Sequence, residues 1–125
     1  DQVGFFNEKQ LNNFIETTGV EQRRIAPSNM CASDYCLNAA NILLDKNNID
    51  RNEIDALIFI SQTPDYKIPG TSIILQNKLG LRSDIIAFDV NLTCSAYLYG
   101  LFISYSILNN SQYGFNFSKI SNRFF

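Results

Sequence analysis

Two short apolar runs, Ala56-Leu57-Ile58-Phe59-Ile60 and Ile85-Ile86-Ala87-Phe88-Asp89-Val90, limit the possible fold more than any other feature of the chain. Both have the length and the β-branched content of strands, and neither alternates with polar residues. That pattern predicts strands covered on both faces, as in a parallel sheet. Thr71–Leu79, between them, puts Ile74, Leu75 and Leu79 on one side, with Gly80 at the expected helix C-cap. After the second run, Ala96–Leu108 is apolar around nearly its whole circumference, which predicts a helix in the middle of a domain. Strand, helix, strand, helix implies a parallel α/β sheet with right-handed crossovers.

Upstream, Glu8–Glu16 predicts a short helix with Leu11, Phe14 and Ile15 on one face. A second helix is expected from an N-cap at Ser33, with Asp34 in its first turn and Tyr35, Cys36, Ala39, Ala40, Leu43 and Leu44 as its apolar stripe. It ends near Lys46, where Asn47-Asn48 supplies a turn. Residues 1–108 contain no internal repeat and no linker, and read as one half-domain. Residues 109–125 differ: Asn109-Asn110-Ser111-Gln112 breaks the helix, and aromatics then alternate with polar residues as far as Phe124-Phe125. No strand follows although the α/β pattern needs one, so 109–125 reads as a divergent or premature end. The chain starts at Asp1 without methionine, as if cut from something longer.

Composition excludes several function classes. A net charge of −2 gives no electrostatic reason to expect nucleic acid or an anionic membrane as partner. Every apolar stretch is interrupted before it could cross a bilayer, and residues 1–10 do not read as a signal peptide, so a cytoplasmic protein is expected. The 3 cysteines are an odd number without metal-type spacing, which argues against a disulfide framework and against zinc. The 125 residues include no histidine, so a mechanism needing an imidazole base cannot be completed by this chain alone.

The stretch with chemical content is Phe88-Asp89-Val90-Asn91-Leu92-Thr93-Cys94-Ser95-Ala96-Tyr97-Leu98-Tyr99-Gly100-Leu101. A strand runs through a short turn and delivers Cys94 to the first turn of a helix. Free backbone N–H groups and the helix dipole favour a thiolate there, and the same amides can stabilise an oxyanion. Free cysteine is also a common small hydrophobe in protein cores, and on periodicity alone that reading is the stronger. Nothing places Cys31 or Cys36 at a comparable turn.

Phe88-Asp89-Val90 followed by Cys94 and Tyr99-Gly100-Leu101 resembles the nucleophile segment of the β-ketoacyl-acyl-carrier-protein synthase III family. Thr18-Gly19-Val20-Glu21-Gln22-Arg23-Arg24-Ile25-Ala26 is similar to the family's Thr-Gly-Ile-x-x-Arg signature. Asp55 to Pro64, with Pro69, Gln76, Leu79 and Gly80, forms a third matching segment in family order. The resemblance covers roughly residues 8–108. It implies a thiolase-like fold: this chain would be the N-terminal half of a five-layered α-β-α-β-α arrangement, with a mostly parallel sheet and a buried central helix.

The resemblance also implies an acyltransferase of the condensing type. Cys94 would be acylated, and the acyl group then extended by decarboxylative Claisen condensation with a malonyl thioester. No cofactor is implied; acyl-CoA or acyl-carrier-protein thioesters are the substrates and the carrier protein a partner. The family works as a homodimer, and a histidine and an asparagine from its second half complete the site. This chain has no match to either. Arg23 and Arg24 become candidates for phosphopantetheine or carrier-protein contacts, Ile68 for shaping the partner's acyl pocket across the dimer interface, and Ser95 for substrate binding. The family's coenzyme A-binding tryptophan and arginine are replaced by Asn13 and Thr17, and Ala96 stands where glycine is usual. The alternatives are a non-catalytic remnant that keeps the dimer surface, or a redox-sensing thiol.

Overall fold

The computed structural model describes residues 6–109. Helix α1 spans Glu8–Thr18, α2 Ala32–Lys46 and α3 Thr71–Lys78. Strands β1 (Ala56–Ile60) and β2 (Ile86–Val90) flank α3, and α4 (Ala96–Asn109) follows β2. A single turn of 3₁₀ helix at Arg51–Glu53 leads into β1. The expected stretch from residue 110 to 125 lies outside the described residues.

β1 and β2 pair in parallel, with Ala56 opposite Ile86 and Ile60 opposite Val90. Successive strand side chains point to opposite faces. Asp89 meets the start of α3, while Ile60 meets α4 at Gly100. Because Phe59 is opposite Asp89, and Val90 opposite Ile60, α3 and α4 cover opposite faces of the sheet. α2 packs on the outside of α3. The buried apolar residues Leu44, Phe59, Leu75, Leu79, Ile85 and Val90 form the core, most of it between these helices and the sheet.

Polar ties fix the layers. Arg51 donates to Asn41 and Asp45 of α2 and to the Leu79 carbonyl after α3. Arg82 meets Asp55 at 2.6 Å, joining the approaches to the two strands. Gly80 has φ +66 just past α3, a left-handed conformation in which glycine avoids the Cβ penalty.

Three local expectations are corrected. The N-cap of α2 is Cys31 rather than Ser33, and Asp34 reaches back to accept the Cys31 N–H at 2.9 Å. Ser33 is instead buried, its hydroxyl donating to Asp65 of the β1–α3 loop. The inward stripe of α2 runs through Ser33, Leu37, Ala40 and Leu44, while Tyr35, Cys36, Ala39 and Leu43 face solvent. A polar contact with a distant loop turned the helix from the face its apolar content suggests.

The last correction concerns α4. It turns only a narrow stripe inward, led by Ala96 and Gly100, and Leu98 and Phe102 remain 68% and 69% exposed. Among the described residues it covers one face of a two-stranded sheet, and none of them forms a layer on its other side. Among the described residues α1 likewise has none that is buried, although Asn7 and Gln10 cap it reciprocally at 2.9 and 3.0 Å.

Candidate active site

In a parallel α/β sheet, the loops after the C-terminal ends of the strands are where ligands gather. Here two loops leave that edge together. Residues 61–70 follow β1 and residues 91–95 follow β2, and Ser61 donates its N–H to the Val90 carbonyl at 3.4 Å where they part. The second loop carries Cys94, which is exposed.

Cys94 occupies a turn two residues before α4 begins, not a position within the helix's first turn as expected. Ala96 closes that turn by donating to the Thr93 carbonyl at 2.9 Å, and Tyr99 donates to the Ser95 carbonyl at 3.1 Å. Among the described residues, the backbone N–H groups of Cys94 and Ser95 take no such bond. A thiol in reach of solvent thus stands beside free amides at a helix start, where negative charge on sulfur or on an attacked carbonyl oxygen is favoured. Ser95 is exposed next to it.

α4 can lie close to β1 because residue 100 is glycine. A Cβ on Gly100 would fall 2.1 Å from Ile60 Cδ1 and 3.3 Å from Ile60 Cγ1. Gly100 and Ile60 therefore set the depth of α4, and with it the height of the Cys94 turn over the sheet.

The other sequence candidates lie on other segments. Arg23 and Arg24 are exposed in the irregular segment between α1 and α2, and no hydrogen bond or ion pair joins either to the Cys94 loop. Ile68 is 90% exposed on the neighbouring 61–70 loop. Cys94 and Ser95 lie on the loop after β2 and Ile68 on the loop after β1, at the same edge of the sheet.

One residue went unrecognised. Asp89, in β2, accepts the N–H of Thr71 on Oδ2 at 2.7 Å and that of Ser72 on Oδ1 at 2.8 Å, so a strand residue caps α3. Burial opposes its charged form, but the hydrogen bonding from Ser72 and Thr71 more than offsets this and holds the carboxyl below its usual range. The signal was present in the sequence: an acid inside an otherwise apolar strand must find donors. Elsewhere, desolvation and the nearby Asp65 carboxylate push the Cys36 thiol up. Among the described residues, no cluster of three potential ligands could hold a metal ion, and no helix is long and apolar enough to cross a membrane.

With this geometry in place, the chain can be set beside known proteins. No protein-family model matches it. It is 41% identical over 102 residues to a 3-oxoacyl-[acyl-carrier-protein] synthase 3 of Campylobacter jejuni, covering 82% of this chain and 29% of that one. It is 39% identical over 98 residues to a β-ketoacyl-[acyl-carrier-protein] synthase III of Ehrlichia canis, covering 78% and 30%. A solved 3-oxoacyl-(acyl-carrier protein) synthase of Burkholderia xenovorans superposes with a TM-score of 0.78 at 36% identity, over 82% of this chain and 30% of that one. The matched residues therefore carry the sequence and the thiolase-like fold of the β-ketoacyl-acyl-carrier-protein synthase III family, in a segment spanning about 30% of those relatives.

Proposed function

We propose that this chain supplies the acyl-accepting cysteine of a condensing acyltransferase, with Cys94 as nucleophile. The Cys94 thiolate attacks the carbonyl carbon of an acyl thioester. The carbonyl oxygen gains negative charge beside the free amides at the start of α4, and the carrier sulfur leaves, taking up the proton that Cys94 gave up. In the condensation that follows, a malonyl thioester loses carbon dioxide. The resulting enolate attacks the Cys94-bound acyl carbon and releases the thiolate. The resemblance assigns a histidine and an asparagine from the second half to that step and to assisting acyl transfer, and this chain contains no histidine, so in this reading it supplies the cysteine and condensation needs residues from outside it.

The observation that carries this reading is an exposed cysteine at a strand-to-helix turn on the C-terminal edge of a parallel sheet, beside free amides. In the same reading the working enzyme is a cytoplasmic homodimer acting on coenzyme A or carrier-protein thioesters without a cofactor. Arg23 and Arg24 meet the phosphopantetheine arm or carrier protein, Ser95 lines the thioester path, and Ile68 reaches the partner's acyl pocket. The half-domain is residues 1–108, with 109–125 appended. The test is incubation with acyl-CoA and acyl-carrier-protein, followed by intact-mass and peptide analysis. An acyl adduct on Cys94, lost in Cys94→Ser, is expected. An unmodified Cys94 under conditions that acylate a full-length relative refutes the reading.

A second reading, association without turnover, draws on the uncovered face of α4. Leu98, Tyr99 and Phe102 frame an open apolar depression of about 160 Å³ there. It requires the chain to self-associate, and a monomer in sedimentation analysis excludes it.

A further inference from the structure

We propose that Ile60 is a positioning residue for Cys94, its backbone and its side chain holding the two feet of the arch that carries the cysteine. The inference rests on the reading of Cys94 as acyl acceptor given above.

The arch is residues 91–99, between the last residue of β2 and Gly100 of α4. Its first foot is Val90, which pairs with Ile60 in the parallel ladder and accepts the N–H of Ser61 at 3.4 Å. Its second foot is Gly100, where a Cβ would come to 2.1 Å from Ile60 Cδ1. Both feet rest on one residue of β1. Between them the chain is braced from Thr93 onward, since Ala96 donates to the Thr93 carbonyl and Tyr99 to the Ser95 carbonyl. The buried residues of α4 are Ala96 and Gly100, one turn apart, so the helix is seated by its first turn, directly after the cysteine.

Glycine inside a helix costs about 1 kcal/mol relative to alanine. At position 100 it lets the end of Ile60 occupy the space in which a side chain would begin. The N–H groups of Cys94 and Ser95, free among the described residues, lie within the arch. Their directions relative to the thiol follow from its shape, and moving one foot off Ile60 changes that shape. Attack on a thioester carbonyl puts negative charge on an oxygen that those amides must meet, and a misplacement of about 1 Å costs on the order of a hundredfold. Alkylation by iodoacetamide displaces iodide from carbon and puts no new charge on oxygen, so it reads the thiolate alone. The two reactions of one sulfur therefore separate the shape of the arch from the exposure of the cysteine.

The experiment compares the full chain with Gly100→Leu, Ile60→Ala, the double variant and Leu44→Ala. Acylation of Cys94 by acyl-CoA and by acyl-carrier-protein, and its alkylation by iodoacetamide, are followed by intact-mass and peptide analysis, with circular dichroism reporting the fold. Gly100→Leu pushes the second foot outward and Ile60→Ala removes its seat, whereas in the double variant the leucine fills the space the isoleucine left. Leu44→Ala opens the core at α2 and is the control for lost stability away from the arch. The ratio of acylation to alkylation rate is expected to fall by between about tenfold and a hundredfold in each single variant. It returns to within about threefold of wild type in the double variant, because the two positions are coupled, and Leu44→Ala keeps the wild-type ratio. Should either single variant fail to fold, Ile60→Val, which removes only Cδ1, is read in its place and gives a smaller fall in the same direction. An unchanged ratio in the folded variants, a double variant no better than the single ones, or an equal fall in Leu44→Ala overturns the inference and leaves the reading of Cys94 intact. A wild-type chain that accepts no acyl group from either donor overturns both.

Discussion

The Asp89 carboxylate accepts the Thr71 backbone N–H at 2.7 Å, so a charge near the C-terminal end of β2 is satisfied by the first turn of the helix that crosses the sheet. Its loss should therefore destabilise the chain in a pH-dependent way. Hydrogen bonds to a charged group contribute about 1.5–3 kcal/mol, and Asp89→Asn should lose an amount in that range near neutral pH. The folded-state pKa of Asp89 is lowered, so its stabilisation is fully present above the unfolded carboxyl value of about 3.9 and disappears as pH falls through the lower folded value. Urea midpoints of wild type and Asp89→Asn should draw together as pH falls from 7 to below the ordinary carboxyl value. Curves that stay parallel over the whole range contradict this account.

Gly100 should be graded in what it tolerates. Alanine brings its Cβ to 2.1 Å from the end of the Ile60 side chain, but that end can rotate away, and alanine recovers up to about 1 kcal/mol of helix propensity. Gly100→Ala is expected to change stability by less than about 1 kcal/mol, because the two effects oppose each other. Gly100→Leu has no such escape and should cost about 2–3 kcal/mol through overpacking, partly recovered by Ile60→Ala. Thermal denaturation of the four proteins measures this, and additivity between positions 60 and 100 would show that the two side chains do not meet.

Cys36 and Cys94 should differ in their reaction with iodoacetamide. Desolvation, assisted by Asp65, raises the Cys36 thiol, so at pH 8 it should be alkylated more slowly than Cys94. Asp65→Asn removes the charge but not the partial desolvation. The pH–rate profile of Cys36 should move part of the way toward lower pH, without reaching that of a free thiol. A profile that does not move would leave desolvation as the whole cause.

The outward face of α4 should govern solution behaviour. Leu98, Phe102 and Tyr105 present a row of large apolar side chains to water, and patches of this kind drive association. Phe102→Glu or Leu98→Lys should lower the weight-average mass in sedimentation or light scattering while leaving the circular dichroism spectrum unchanged. Equal masses for wild type and both variants would show that this face is not the contact.

Element order was legible in the sequence because it is written in local periodicity. The run Ala56–Ile60 is β1 with no change of boundary, Ile85–Val90 lost a single residue, and Asn47-Asn48 ends α2 as its turn chemistry requires. The position of Cys94 between a strand and a helix follows from the same signals and from the family resemblance around it. Tertiary structure decided what depends on partners distant in sequence. Ser33 was turned inward by Asp65, thirty-two residues away, and that contact set which face of α2 is buried. Asp89 became the cap of α3 because parallel pairing brings the end of β2 beside Gly70. α4 is apolar all round and reads as buried, yet among the described residues only the stripe touching β1 is covered. A sequence states how much apolar surface a helix has; which surfaces lie close enough to cover it depends on the packing of elements that are remote along the chain.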